Sequence, residues 1–162
     1  MKIEAPLLLH RESVLPEWID YNGHMNLAYY VLIFDHATDA FLDFIGLTEK
    51  FREANHSSTF AAELHVTYEQ EVKLGDAVVV KTQLLDFDEK RFHYFHHMYH
   101  EADGKPVATN ELISLYMDMN ARRVTAMPGE IQEMLGKIVS AHNDLPLPGQ
   151  VGRTIGLRSK SQ

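Results

Sequence analysis

From Leu27 onward, Tyr30, Val31, Phe34, Thr38, Phe41, Leu42 and Ile45 recur at intervals of three and four. That is the apolar stripe of a helix about five turns long, broad enough to be buried on most sides. Asn26 stands where an N-cap belongs, and Gly46 where the helix should stop. Ahead of it, Leu7-Leu8-Leu9 through Val14 to Trp18 and Ile19 reads as a strand broken near Pro16, and Asn22-Gly23 is turn chemistry. A short helix is expected at residues 48–55. From Ser58 to Met127 the period falls to two. Strands are expected at 59–71, 77–87, 91–101 and 106–119, joined at Gly75-Asp76, Asp86–Lys90 and Asp103-Gly104. Pro128-Gly129 then opens a terminal helix with Ile131, Met134, Leu135 and Ile138 on one side.

A buried helix needs its stripe wrapped, and a strongly curved sheet wraps it. The expected architecture is therefore α+β: a meander of four long strands holding the long helix in its concave face. Glu63 and His65 face away from Leu64 and Val66, and Phe95, Leu112 and Tyr116 are expected on the outer face. A second copy of the chain would cover that outer apolar surface, which predicts a homo-oligomer. Residues 1–144 read as a single domain. Residues 145–162 hold Pro146, Pro148, Gly149, Gly152 and Gly156 and read as an extended tail.

Composition narrows the function. The chain has 162 residues, is 45% hydrophobic and 23% charged, and carries a net charge of −8. Such an acidic chain is a poor partner for nucleic acid, whose phosphates need clustered Lys and Arg. After Asp144 there is no acid, while Arg153, Arg158 and Lys160 are basic, so the tail is a basic end on an acidic chain. No run approaches a membrane span, and Met1-Lys2-Ile3-Glu4-Ala5-Pro6 is too short and interrupted for a secretion signal. Cysteine is absent, which excludes thiolate chemistry and fits a cytoplasmic setting.

The most informative stretch runs from Asp20 to Tyr30. A carboxylate ends a strand, a tight turn follows, and then a buried helix begins. The first N–H groups of that helix lack intrahelical partners and carry the positive end of its dipole. Asp20 beside such a helix mouth suits attack on an activated acyl group, whose developing oxyanion the amides would hold. A thioester qualifies, because a thiolate leaves without protonation. Turn-capping by Asp20 and helix-capping by Asn26 explain the same residues without chemistry.

Asp20-x-x-Gly23-His24-Met25-Asn26-x-x-x-Tyr30, continuing to Phe34-Asp35-x-Ala37, resembles the opening motif of hot-dog acyl-CoA thioesterases of the 4-hydroxybenzoyl-CoA thioesterase type. The Gly75-Asp76 turn and the Asp118 to Arg123 strand end are similar too, so the likeness spans about residues 12–140. It implies a hot-dog fold: five to six antiparallel strands around a long central helix, a C-terminal helix, and homodimers or homotetramers with sites between subunits. It implies catalytic roles for Asp20, as nucleophile or as water-activating base, and for the Leu27 N–H, with Gly23, His24 and Asn26 shaping the turn. Trp18-Ile19-Asp20-Tyr21-Asn22-Gly23-His24 is further similar to thioesterases encoded with or fused to carnitine dehydrogenases. That likeness implies betainyl-CoA, a trimethylammonium thioester, as substrate. Aromatic faces hold such a cation, and Trp18, Tyr21, Tyr29 and Tyr30 surround the motif.

Glu111 is a candidate to position water or the acyl group if its face of the last long strand meets the helix. Glu63 is a second acidic candidate. Arg122 and Arg123, with Arg91 behind them, are candidates for CoA phosphates, and the basic tail is another. His93, His96, His97 and His100 invite a metal reading, but on a strand each same-face pair stands about 13 Å apart, too far to share an ion. No metal and no redox cofactor are expected. Two other functions stand beside hydrolysis: a hot-dog hydratase or dehydratase, and a non-catalytic acyl-CoA binder.

Overall fold

Leu27–Ile45 forms one unbroken helix, α1, in the computed structural model of the chain, which describes residues 2–157. The Asn26 side chain accepts a hydrogen bond from the Ala28 N–H (3.0 Å), and Gly46, at φ 95°, ends the helix in the left-handed conformation. Ahead of it lie strand β1 (Leu7–Ser13) and a 3-10 turn at Pro16–Trp18. After it come α2 (Glu49–Ala54), β2 (Ser57–Tyr68), β3 (Ala77–Phe87), β4 (Arg91–His100), β5 (Pro106–Asp118), β6 (Arg123–Val124) and α3 (Gly129–His142).

The strands form one antiparallel sheet in the order β1-β3-β4-β5-β2, with β6 beside β5. Tight hairpins force β3, β4 and β5 to be neighbours. β2 breaks the expected four-strand meander: it pairs with β5, Ser57 opposite Asp118 and Tyr68 opposite Ala108. β1 already holds the free edge of β3, so the Glu69–Asp76 connection carries the chain across the end of the sheet. β2 is left as a long open edge, with Phe60, Leu64 and Tyr68 between 42% and 48% exposed.

The sheet packs on α1 and α3 through two apolar clusters. One joins Phe41, Leu42 and Ile45 to Tyr94, Leu112, Tyr116, Leu135 and Ile138. The other joins Tyr30, Ile33 and Phe34 to Trp18, Met25, Val78, Val80 and Met98. Leu112 and Tyr116 therefore face the helices and not the outer side. Both faces of β5 are rich in apolar residues, so alternation alone did not reveal which one turns inward. Between the clusters His96 is fully buried against Phe34, with Thr38 and Thr82 bonded to its two ring nitrogens at 3.0 and 2.9 Å. Burial holds its pKa down at about 3.

Phe95 does face outward, yet it is only 2% exposed. Its cross-strand neighbours are Gln83 on β3 and Glu111 on β5. Gln83 donates to the Pro146 carbonyl, and Glu111 accepts from the Gly152 N–H at 2.8 and 3.0 Å. The segment after α3 thus crosses over Phe95, and the chain's own tail covers this surface where a second copy was expected. A further bond from Gln150 to Glu69 holds it there, so residues 146–152 are fastened to the sheet. Arg158 and Lys160 lie outside the described residues.

Candidate active site

The turn between the 3-10 segment and α1 is closed by its own backbone. Ile19 and Met25 form a β-bridge, the Asp20 N–H donates to the His24 carbonyl, and the Gly23 N–H donates to the Asp20 carbonyl. Gly23 sits at φ 78° with open space around it, so the backbone angle alone demands glycine there. Asn26 N–H donates to the Trp18 carbonyl at 2.8 Å, and Met25 N–H to that of Val72. These bonds set the turn against the first residue of α1.

Asp20 is partly buried, and its Oδ1 accepts the Asn22 N–H at 2.8 Å. Among the described residues nothing bonds Oδ2. The Leu27 N–H is likewise without a partner there, while the neighbouring Ala28 N–H is taken by the Asn26 cap. Asp20 and Leu27 line one open cavity of about 400 Å³ with His24, Tyr30, Tyr68, Glu69 and Glu71. Asp20, with a free carboxylate oxygen, and Leu27, with a free amide at the positive end of a 19-residue helix, line the same space.

Two contacts brace this arrangement that the sequence did not disclose. His24 Nε2 lies 2.8 Å from Glu71 Oε2, tying the turn to the loop beyond β2. The Tyr68 hydroxyl donates to the Leu27 carbonyl at 3.1 Å, fixing the peptide plane at the start of α1. Neither Tyr68 nor Glu71 carries a local signal, because only the displaced position of β2 brings them here. The Tyr30 hydroxyl accepts the Val72 N–H and contacts the Gln70 carbonyl, and its ring meets Tyr68 edge to face at 5.2 Å. Burial pushes the Tyr30 and Tyr68 phenols up.

Asp20, His24, Asn26, Leu27 and Tyr30 are brought together around the cavity, with Gly23 in the turn behind them. Others are not. Trp18 is 5% exposed and stacks on Tyr29 at 5.5 Å, so its ring is core and does not line the cavity. Tyr21 is 97% exposed, at the tip of the turn. Glu63 and Glu111 line a separate hollow with His65 and His93 on the outer face, across the sheet from α1. Strand parity explains it: Asn110, Leu112 and Ser114 take the inner positions of β5. Arg122 and Arg123 are exposed beside Asp118, next to Ser57, while the cavity adjoins Tyr68. The length of β2, about 35 Å, separates them within one chain. Arg91 is engaged by Asp88.

The family model of the Thioesterase-like superfamily matches residues 14–135. The betainyl-CoA thioesterase of Pseudomonas aeruginosa is 41% identical over 151 residues, covering 93% of this chain and 95% of that protein. An L-carnitine dehydrogenase/betainyl-CoA thioesterase of Agrobacterium fabrum is 40% identical over 95% of this chain, which spans 32% of that longer protein. Among solved structures, a hypothetical protein from Staphylococcus aureus in complex with CoA superposes with a TM-score of 0.89 at 31% identity, covering 98% of this chain and 100% of that one. A putative thioesterase from Pseudomonas putida KT2440 gives 0.83 at 35% identity, over 96% and 99%.

Proposed function

This chain belongs to the thioesterase-like superfamily, has the hot-dog fold and is an acyl-CoA thioesterase; from that premise we propose that it hydrolyses betainyl-CoA, with Asp20 and the Leu27 N–H as the reacting groups. The observation that carries the mechanism is the pairing of a free Asp20 oxygen with an unpartnered helix-start amide in one cavity. Asp20 acts on the thioester carbonyl either directly or through a water whose proton it takes. Both routes put negative charge on the carbonyl oxygen, where the Leu27 N–H and the helix dipole stabilise it. The C–S bond then breaks, CoA leaves as thiolate, and water supplies the second oxygen of the free acid. No electrons are transferred, so the reaction calls for no redox cofactor.

Support for a cationic acyl group comes from the walls. Tyr30 and Tyr68 offer aromatic surface, and Asp20, Glu69 and Glu71 offer negative charge. The named relatives from Pseudomonas aeruginosa and Agrobacterium fabrum point the same way. The test is thiol release from betainyl-CoA and from its uncharged tert-butyl isostere, 4,4-dimethylvaleryl-CoA being the longer control. The reading requires kcat/KM for betainyl-CoA to exceed the isostere by about tenfold or more, the scale of a desolvated cation–π contact. Equal values would remove the cation from the substrate.

The same reading makes the protein a cytoplasmic homodimer that pairs β2 edges about a two-fold axis, with tetramers built from such pairs. The open, partly apolar β2 edge favours that contact. In it, Arg122 and Arg123 of the partner subunit would come to the Tyr68 end of β2, where CoA phosphates could meet them. No helix among the described residues is long and apolar enough to cross a membrane.

A further inference from the structure

On the side of α1 facing β1, His10, Glu12 and His36 converge. His10 and Glu12 are two residues apart on one face of β1, and His36 comes from the third turn of α1. Glu12 Oε2 lies 2.8 Å from His10 Nε2 and 2.9 Å from His36 Nδ1. The three ligand atoms all fall within 4.8 Å of one another.

A tetrahedral ion bonded at about 2.0–2.1 Å keeps its ligand atoms about 3.3 Å apart. The two separations from Glu12, 2.8 and 2.9 Å, fall a little short of that value, and the third is no more than 4.8 Å, so small side-chain rotations would seat an ion among the three. All three residues are partly buried, and the His36 side chain keeps 38% of its surface, which leaves a path from solvent. Among the described residues, Glu12 has no ion pair with lysine or arginine; Arg11, pointing the other way, is taken by Glu101. Asp35 and Asp39 flank His36 along the helix and add negative charge nearby.

We propose that His10, Glu12 and His36 form a binding site for one first-row divalent cation of the zinc class, with the remaining coordination position open to water. Two imidazoles and one carboxylate are a borderline donor set, suited to Zn²⁺, Co²⁺ or Ni²⁺ and poorly suited to Mg²⁺ or Ca²⁺. His36 is nine residues beyond Leu27, about 13 Å along the helix. The ion would therefore clamp the edge strand β1 to α1 without touching the thioester. This inference does not depend on the substrate or on the reaction.

The test is equilibrium dialysis of the untagged full chain, stripped with chelator, against ZnCl₂ with excess Mg²⁺ present, alongside thermal unfolding. The expected result is one Zn²⁺ per chain and a raised unfolding temperature. Glu12→Gln and His36→Gln should each weaken binding by at least about tenfold. His93→Ala, on the outer face, should leave binding unchanged. Circular dichroism and thiol release from the stripped variants establish that they are folded. Absence of saturable binding to the parent chain would overturn the proposal, as would equal affinity in folded Glu12→Gln or loss of binding in His93→Ala.

Discussion

Leu27→Pro isolates the helix-start amide from everything else in the site. Proline at the first position of a helix is well tolerated, since its fixed φ is already helical and the N–H it lacks has no intrahelical partner. The residue before proline must be extended, and Asn26 already is, at φ −59° and ψ 142°. The Leu27 side chain is 64% exposed, so little burial is lost. The Leu27 carbonyl remains to accept the Tyr68 hydroxyl. Stability should therefore change by less than about 1 kcal/mol. Catalysis should not survive so easily. Removing one oxyanion donor costs about 3–4 kcal/mol of barrier, a fall in kcat of about 10² to 10³. The assay is thiol release from acyl-CoA, with thermal unfolding in parallel and Leu27→Ala as the control that keeps the amide. Leu27→Ala should stay within about threefold of the parent, because it removes exposed side chain and no donor. If folded Leu27→Pro hydrolyses as fast as Leu27→Ala, the amide is not the oxyanion donor and the argument from the helix mouth fails.

The buried His96 gives a signed pH prediction. It is neutral in the fold with a pKa of about 3, while the unfolded chain takes up its proton near 6.5. Its contribution is complete above pH 6.5 and is lost as pH falls toward 3, at about 1.4 kcal/mol per pH unit. Denaturant unfolding at pH 7 and pH 4.5 should therefore show a loss of about 3 kcal/mol from this group, which His96→Gln removes; parallel pH profiles for parent and variant would refute it. Deleting residues 146–162 uncovers Phe95 and should lower stability by about 2 kcal/mol; an unchanged unfolding temperature would show that the tail does not cover it. A KM for acyl-CoA that rises in the same variant, most at low salt, would assign the tail a phosphate contact as well. Arg122→Ala with Arg123→Ala should raise KM several-fold at low ionic strength and less at high salt, with kcat steady. A KM equal to the parent's at both salt concentrations would exclude these arginines from phosphate binding.

What could be read from the chain divides along a physical line. α1 was legible from Asn26 to Gly46 because its period, cap and left-handed stop are all local, and β3 from Ala77 to Phe87 because clean turns bound it. The Asp20-to-Leu27 arrangement was legible for the same reason: apart from the Met25 N–H bond to the Val72 carbonyl, its backbone bonds run within eight residues or to their immediate flanks. The position of β2 was not, since strand order depends on which edge β1 occupies, a matter of contacts 64 to 75 residues apart. The face taken by Glu111 was not legible, because β5 carries apolar residues on both sides. Trp18 was assigned to the substrate although a large ring next to a helix start finds its partner in Tyr29. His10, Glu12 and His36 escaped notice because strand and helix meet only in three dimensions.

The central claim is that the Asp20 carboxylate attacks, or activates water against, a thioester carbonyl held at the mouth of α1. Asp20→Asn keeps the size of the side chain and its Oδ1 acceptor for the Asn22 N–H. Single-turnover thiol release, with the protein in saturating excess over acyl-CoA, measures the chemical step directly. The account predicts a fall of at least about 10³ in that rate, with CoA-ester affinity retained. A folded Asp20→Asn chain that releases thiol at the parent rate would contradict it.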